Sequence, residues 1–185
     1  ETSSAHMPNR NAYLAVCLDD TTLRALVEVQ NILEKTLSQA GHGFDRMKPE
    51  ELHMTFFFAA ESLSRLKADM LAAWHRQVRV AVQDSGSHSD ATMRLVGFDV
   101  FPPGKNNLVV ARFEVPMWLH ELQKRVEEEA HAAGLGVSDS HAKAIHGAWV
   151  PHVTLGKVRA NRTQVVDAAS RAAAHAWHVC GRGVD

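Results

Sequence analysis

Apolar residues recur along the chain with two different periods, and these periods predict its strands and helices. Alternating or continuous apolar runs predict strands at residues 11–18, 51–59, 93–100, 108–115 and 149–158, with a short last strand at 177–180. Apolar residues three and four apart predict helices after Asp19, from residue 62 to about 80, after Pro116 and after Asn161. Polar and glycine-rich stretches predict loops at 41–50, 84–90 and 136–147 and a turn over 101–107.

The order of these elements predicts an α+β fold. A strand, a helix and a further strand with a His-x-Thr sequence occur in each half of the chain, although no clean sequence repeat is visible. Strand and helix faces must both be covered, so we expect a bilobal arrangement of two antiparallel sheets. The sheets are expected to face a central cleft, with the helices on their outer faces.

The net charge argues against one class of function. The 185 residues include 20 basic and 21 acidic side chains, a formal net charge of −1, and 45% are hydrophobic, which suffices for a core. A protein that follows a long nucleic-acid tract needs a clearly basic surface, so that class is not expected. A small anion or the end of an oligonucleotide stays open as a ligand, because a site can be locally positive on a neutral protein.

Cysteine content and chain ends suggest an intracellular protein, in the cytoplasm or nucleus. There are two cysteines, no Cys-x-x-Cys, no apolar run of membrane-spanning length and no signal-peptide-like opening. Residues 1–6 resemble the remnant of an expression vector, which leaves 7–185 as a single domain, expected to be monomeric. The abrupt end at RGVD suggests a fragment of a longer protein.

One four-residue pattern occurs twice, at residues 53–56 (HMTF) and 152–155 (HVTL), each time inside an apolar run. On a strand, His53 and Thr55 would share one face, and so would His152 and Thr154. Two imidazoles can act as base and acid in phosphodiester cleavage without a metal, and threonine hydroxyls can donate to phosphoryl oxygens. No metal-ligand spacing is present, so neither a metal nor another cofactor is predicted.

The chain resembles the two-histidine (2H) phosphoesterase superfamily, which is defined by two H-x-[ST]-x motifs. It is most similar to the LigT-like branch, which includes 2′-5′ RNA ligases, 2′,3′-cyclic phosphodiesterases and a nucleotide-binding domain of a kinase-anchoring protein. The similar stretches are LHMTFFFAAE, LVGFDVFPPGKNNLVVARF, LHELQKRVEEEAHAAGLG and WVPHVTLGKV. The family's proline before the second histidine is present as Pro151, and its basic residue after the second threonine as Lys157.

That resemblance implies roles for further residues. His53 and His152 would be catalytic, with Thr55, Thr154 and Lys157 as phosphate-binding residues, although strict alternation places Lys157 on the opposite strand face unless a bulge re-aims it. Four aromatic residues are candidates for stacking on a base or packing in the core: Phe57, Trp149, Phe101 and Tyr13. Arg112 is predicted to be a surface charge.

The resemblance favours a metal-independent phosphodiesterase acting on a nucleotide or RNA terminus with a 2′,3′-cyclic phosphate, or on a 2′-5′ linkage. The sequence does not decide which histidine is the acid; His53 is assigned that role and His152 the role of base. Two alternatives stay open. One is a module that binds AMP-like nucleotides without turnover, and the other is a 2′-5′ RNA ligase.

Overall fold

A computed structural model of the protein describes residues 11–62, 67–85, 93–101, 107–133, 149–159, 169, 171–175 and 177. Several predictions concern residues outside these ranges. They are the vector remnant at 1–6, most of the loop 84–90, the turn residues 102–106, the loop 136–147, the cap at Asn161 and the strand residues 178–180.

The described elements follow the predicted order with three differences. The strands are β1 (Asn11–Cys17), β2 (Gly43–Arg46), β3 (His53–Ser62), β4 (Arg94–Phe101), β5 (Leu108–Glu114) and β6 (His152–Arg159). The helices are α1 (Asp20–Gln39), α2 (Ala68–Asp84) and α3 (Met117–Ala132), with a 3-10 turn at Pro49–Glu51. Strand β2 lies where a loop was predicted, α2 begins six residues later than predicted at Ala68, and Trp177 is helical rather than the start of a strand.

Helix α1 illustrates how the sequence sets its own boundaries. The Asp19 carboxylate accepts hydrogen bonds from the backbone N–H of Thr21 and Thr22, at 2.9 and 2.8 Å, which satisfies two donors that the first helical turn leaves without partners. Gly41 has a φ of 77° just after the last turn, a conformation that favours glycine. The buried stripe of this helix consists of Ala25, Leu26, Val29, Gln30, Leu33 and Leu37.

The chain divides into two compact units, each built from three segments. The first unit comprises Glu1–Leu14, Phe56–Ala91 and Pro116–Trp149, and the second comprises Ala15–Thr55, Thr92–Val115 and Val150–Asp185. The units therefore do not correspond to the two halves of the sequence. Both His-x-Thr sequences belong to the second unit.

The strands pair antiparallel in every pairing for which the register is described. Their order is β1-β3-β6-β5-β4, and β2 pairs with β6. The α+β class with antiparallel strands is thus confirmed. The division into two sheets is not observed, since the described strands hydrogen bond as one six-stranded sheet. In the second unit, α1 packs against β2 and β6.

The first unit contains the two helices α2 and α3, which pack against each other. Trp74, Val78 and Ala81 are the buried residues of α2, and Leu119, Leu122, Val126 and Ala130 are those of α3. At the surface, Arg125 of α3 forms an ion pair of 3.0 Å with Asp84 of α2. Across the ranges that the structure describes, no helix combines the length and apolarity that membrane crossing requires.

Candidate active site

The two His-x-Thr sequences lie on neighbouring antiparallel strands of the second unit. Met54 of β3 pairs with Val153 of β6. Continuing this register by one residue in each direction puts His53 opposite Thr154 and Thr55 opposite His152, with all four side chains on one face. The two histidines are then diagonal neighbours, a relation that separates residues by about 7–8 Å. That spacing leaves room for a phosphate group between two imidazoles.

Burial distinguishes this face from the opposite one. Met54 and Val153 are fully buried on the core side of the two strands. On the other side, His53 and both threonines are half-buried, and His152 is 9% exposed. The face with the motif residues is called the motif face below.

Both imidazoles are oriented in the same way by the backbone. His53 Nδ1 lies 2.7 Å from the carbonyl oxygen of Glu51, and His152 Nδ1 lies 2.8 Å from that of Val150. A carbonyl oxygen only accepts, so Nδ1 carries the hydrogen in each ring. The Nε2 atom is therefore the one through which either ring can exchange a proton with a ligand. In both strands the accepting carbonyl is two residues before the histidine.

A β-bulge decides where Lys157 lies. Val110 of β5 is opposite Thr154, but the next β5 residue, Val109, is opposite Gly156, so Leu155 is the additional residue in β6. Leu108, on the same face of β5 as Val110, is opposite Lys157. Cross-strand partners share a face, so Lys157 lies on the motif face with Thr154. Strict alternation without the bulge would have placed it on the core side.

An acidic residue accompanies the basic end of β6. Asp45 of β2 is opposite Lys157, and both of its carboxylate oxygens accept from Arg159 Nε at 2.8 Å, with a further contact to the Arg159 Nη2 atom. These hydrogen bonds, together with the positive charges of Arg159 and Lys157, lower the pKa of the Asp45 carboxyl. The same hydrogen bond and the carboxylate charge raise the pKa of the Arg159 guanidinium.

The motif face also contains an ion pair, Arg112 with Asp99, which was not predicted from the sequence to belong to the site. Arg112 of β5 is opposite His152, and Asp99 of β4 is opposite Val110, so both lie on that face. Arg112 Nη1 and Asp99 Oδ2 are 3.2 Å apart, with side chains about half exposed. Only the cross-strand register reveals this position, because Arg112 and Asp99 are each remote in sequence from both motifs.

Among the four aromatic candidates, Phe101 lies beside a motif histidine. It ends β4 opposite Leu108, which puts it on the motif face. Its ring centroid is 4.4 Å from that of His152, with the planes tilted by 34°. This contact accounts for part of the low exposure of His152.

The other three aromatic candidates belong to the first unit. Phe57 is 3% exposed and packs on Trp74 of α2 at 5.3 Å, which favours the core-packing alternative over base stacking at this position. Trp149 is half-buried and packs edge-on against Phe56 and His120, at 5.1 and 5.4 Å. Tyr13 on β1 is 52% exposed. Within the described residues, no three His, Cys, Asp or Glu side chains are grouped as a metal ion would require.

A family model described as the 2′-5′ RNA ligase superfamily matches residues 15–179. The chain belongs to this superfamily. The match contains both His-x-Thr sequences and confirms the resemblance to the 2H phosphoesterases. No curated protein sequence matches the chain significantly.

Solved structures of the superfamily share the fold at low sequence identity. TT0787 of Thermus thermophilus has a TM-score of 0.55 and 21% identity, over 82% of this chain and 76% of that one. A structure described as a phosphoesterase has a TM-score of 0.53 and 16% identity, over 82% and 74%. E. coli LigT complexed with ATP has a TM-score of 0.50 and 13% identity, over 80% and 71%. These similarities confirm the LigT-like fold.

Proposed function

We propose that this protein is a metal-independent phosphodiesterase of nucleotide or RNA-end substrates that carry a 2′,3′-cyclic phosphate or a 2′-5′ linkage. One observation carries the proposal: two histidines of neighbouring strands share a face, and the backbone fixes Nδ1–H of each. An acid–base pair needs two such groups, oriented independently, within reach of one phosphate.

In the proposed reaction on a cyclic phosphate, His152 Nε2 takes a proton from water as the water oxygen attacks phosphorus. His53 Nε2 gives a proton to the 3′ oxygen as the bond from phosphorus to that oxygen breaks. The product has a 2′-phosphate and a 3′-hydroxyl, and the two rings have exchanged protonation states. Reversing the two roles would release the 2′ oxygen instead.

The remaining residues of the motif face are suited to hold the phosphate. Thr55 and Thr154 hydroxyls would donate to the non-bridging oxygens, and Lys157 would supply a positive charge. Charge develops on these oxygens during attack, so donors that are fixed in advance favour the transition state. The half-burial of both threonines beside the histidines supports this role.

The substrate class is inferred from two facts. The overall formal charge of −1 favours a small ligand or a strand terminus over a long nucleic-acid tract. A structure of similar fold, E. coli LigT, has been solved in complex with ATP, which supports a nucleotide-containing ligand.

A substrate panel followed by phosphorus NMR tests the proposal. It should include 2′,3′-cyclic mononucleotides, ADP-ribose cyclic phosphate and 2′-5′-linked oligomers, each with and without a chelator. We expect a cyclic phosphate or a 2′-5′ linkage to be opened at an unchanged rate with the chelator. Joining of RNA ends would favour the ligase alternative instead, and an unreactive panel would overturn the proposal.

A second function, nucleotide binding without turnover, is favoured by one observation. His152 is only 9% exposed and its ring contacts Phe101, whereas a general base must reach a water molecule. Calorimetry with adenosine monophosphates distinguishes the two functions. Tight binding combined with no hydrolysis of the panel would indicate the binding module.

A further inference from the structure

Gln30 is a fully buried polar residue of α1, and its amide reaches the bulge of β6. Its Nε2 atom donates to the carbonyl oxygen of Leu155 at 2.7 Å and to that of Met47 at 2.9 Å. Both hydrogens of the amide group are thus used on backbone acceptors. Burial of such a group is costly unless these bonds form, so the amide specifies the local backbone arrangement.

The two carbonyls mark the places where the ladder of the sheet is irregular. Leu155 is the additional residue of the bulge. Met47 directly follows β2. Here the chain ends its pairing with β6, passes through the 3-10 turn, and returns to β6 as strand β3. The Met47 N–H also donates to the Leu155 carbonyl, at 2.9 Å. Gln30 therefore ties the bulge to the end of β2 from the side of α1.

The bulge sets the direction of the residues that follow it. Lys157 lies on the motif face only because Leu155 is inserted between Thr154 and Gly156. Gly156 lies on the opposite face, where a Cβ atom would be 2.5 Å from Phe44 Cζ, so β6 approaches β2 here too closely for any side chain at this position. The side chain of Lys157 itself is exposed.

We propose that Gln30 is a positioning residue for anion binding: by fixing the bulge at Leu155, it aims Lys157 at the phosphate held between the two His-x-Thr sequences. This inference rests on the proposed function for the identity of the anion. Placement within about 0.5 Å is what a preorganised site needs, and a buried amide bound to two carbonyls supplies such a constraint.

The test measures the binding of inorganic phosphate by phosphorus NMR titration in four proteins: wild type, Gln30→Met, Lys157→Met and the double variant. Methionine has a similar volume to glutamine but no donor. We expect Gln30→Met alone to weaken phosphate binding by about three- to tenfold, the range of one net hydrogen bond. In the Lys157→Met background, the same change should have almost no further effect, because the group that it positions is gone.

Loss of thermal stability alone would not separate positioning from a structural role, whereas this coupling does. Thr36→Val is the matched control, since Thr36 is an exposed residue of the same helix and its hydroxyl donates to the Ile32 carbonyl at 2.8 Å, within α1. It should leave phosphate binding unchanged. The inference is overturned if Gln30→Met weakens phosphate binding equally in the wild-type and Lys157→Met backgrounds, or if it weakens binding in neither.

If Gln30→Met does not fold, Gln30→Asn replaces it in the test. The shorter side chain stays polar but cannot reach both carbonyls. Phosphate binding that does not depend on Lys157 would also overturn the inference. Failure of the proposed function gives a different result. In that case phosphate binding would show the coupling between Gln30 and Lys157, but no substrate of the panel would be cleaved.

Discussion

The two His-x-Thr strands share their local chemistry and differ in the residues beyond the motif. In β3 and in β6 the imidazole Nδ1 bonds the carbonyl two residues earlier, at 2.7 and 2.8 Å. The preceding segments are unlike each other, a 3-10 turn before β3 and the sequence WVP before β6. The same side-chain bond from two different approaches indicates that the orientation of the ring is the shared requirement.

Beyond the threonine the two strands serve different purposes. The fourth residue after the histidine is Phe57 in β3 and Gly156 in β6. Phe57 packs in the core of the first unit, whereas Gly156 follows the bulge that places Lys157 on the motif face. The first motif strand thus continues into a hydrophobic core, and the second continues into a charged edge with Lys157 and Arg159. Of the two motif strands, only β6 is therefore expected to supply a positively charged anion-binding group.

The largest effect should come from removing either histidine. His53→Ala and His152→Ala should each lower kcat by about 10²–10⁴-fold on the substrate that the panel identifies, the usual contribution of one acid–base group. Their pH profiles should differ, because a base must be neutral and an acid protonated. His152→Ala should lose the limb that falls at low pH, and His53→Ala the limb that falls at high pH.

His75→Ala is the control for those two variants, because His75 is an exposed residue of α2. It should keep wild-type turnover and both limbs of the pH profile. If the two limbs are lost in the opposite order, the roles of acid and base are reversed. If either motif variant retains wild-type turnover, the acid–base mechanism is wrong.

Strand parity explains why much of the candidate site could be predicted from the sequence. Apolar residues at Met54 and Val153 identify the core side, so the His and Thr of each motif had to share the other side. The pairing of the two strands is a long-range property and was not predicted: the sequence led us to expect the motif strands in two facing sheets, whereas they pair with each other in one sheet. The α1 boundaries were also local, because Asp19 and Gly41 cap the helix within one turn.

Features that depend on a neighbouring strand could not be predicted. Inserting Leu155 reverses the alternation of β6, and only the register with β5 shows it. Strand β2 is four residues long and begins with glycine, so its strand signal is weak, and it exists because β6 offers an edge to pair with. Phe57 has the parity of His53, yet tertiary packing on Trp74 decided its burial.

The next largest effect is expected on stability at Phe57, the core residue that follows the motif in β3. Phe57→Ala should lower the free energy of unfolding by about 3–5 kcal/mol, because it removes a buried aromatic ring and leaves a cavity beside Trp74. Urea denaturation measures this change. Phe101→Ala is the matched deletion at a half-buried ring, and it should cost clearly less stability. Equal losses for the two variants would show that Phe57 is not a core residue.

A smaller loss of stability is expected at Gly156, which is the fourth residue after the histidine in β6, as Phe57 is in β3. Gly156→Ala should cost about 1–3 kcal/mol of stability, since the new Cβ would lie 2.6 Å from the Asp45 carbonyl oxygen as well as against Phe44. At Gly43 a Cβ would meet the flexible Arg159 side chain at 3.0 Å, so Gly43→Ala is the control and should cost less. An unchanged urea midpoint for Gly156→Ala would mean that β2 does not hold this part of β6 in place.

The smallest effect is expected from the ion pair at the charged edge of β6. Asp45→Asn should destabilise the protein slightly at neutral pH, because exposed ion pairs contribute little and are screened by salt. The Arg159 hydrogen bond lowers the pKa of Asp45 in the folded protein, so its contribution is complete above the unfolded carboxyl pKa of about 3.9. That contribution is lost as the pH falls through the lowered folded value. Urea midpoints of the two proteins should therefore converge in acid and at high salt.

Removing Asp45 also tests whether the edge of β6 faces an anion. The carboxylate lies opposite Lys157 and would compete with a bound phosphate for its charge. Asp45→Asn should therefore strengthen phosphate binding about twofold at low salt, a change of the size that exposed charges produce. Glu34→Gln is the matched control, because it removes the carboxylate of an ion pair with Arg46, which lies on the opposite face of β2 from Asp45, and it should leave phosphate binding unchanged. Weaker phosphate binding in Asp45→Asn would instead show that this carboxylate holds Lys157 or Arg159 in the geometry that binds the anion.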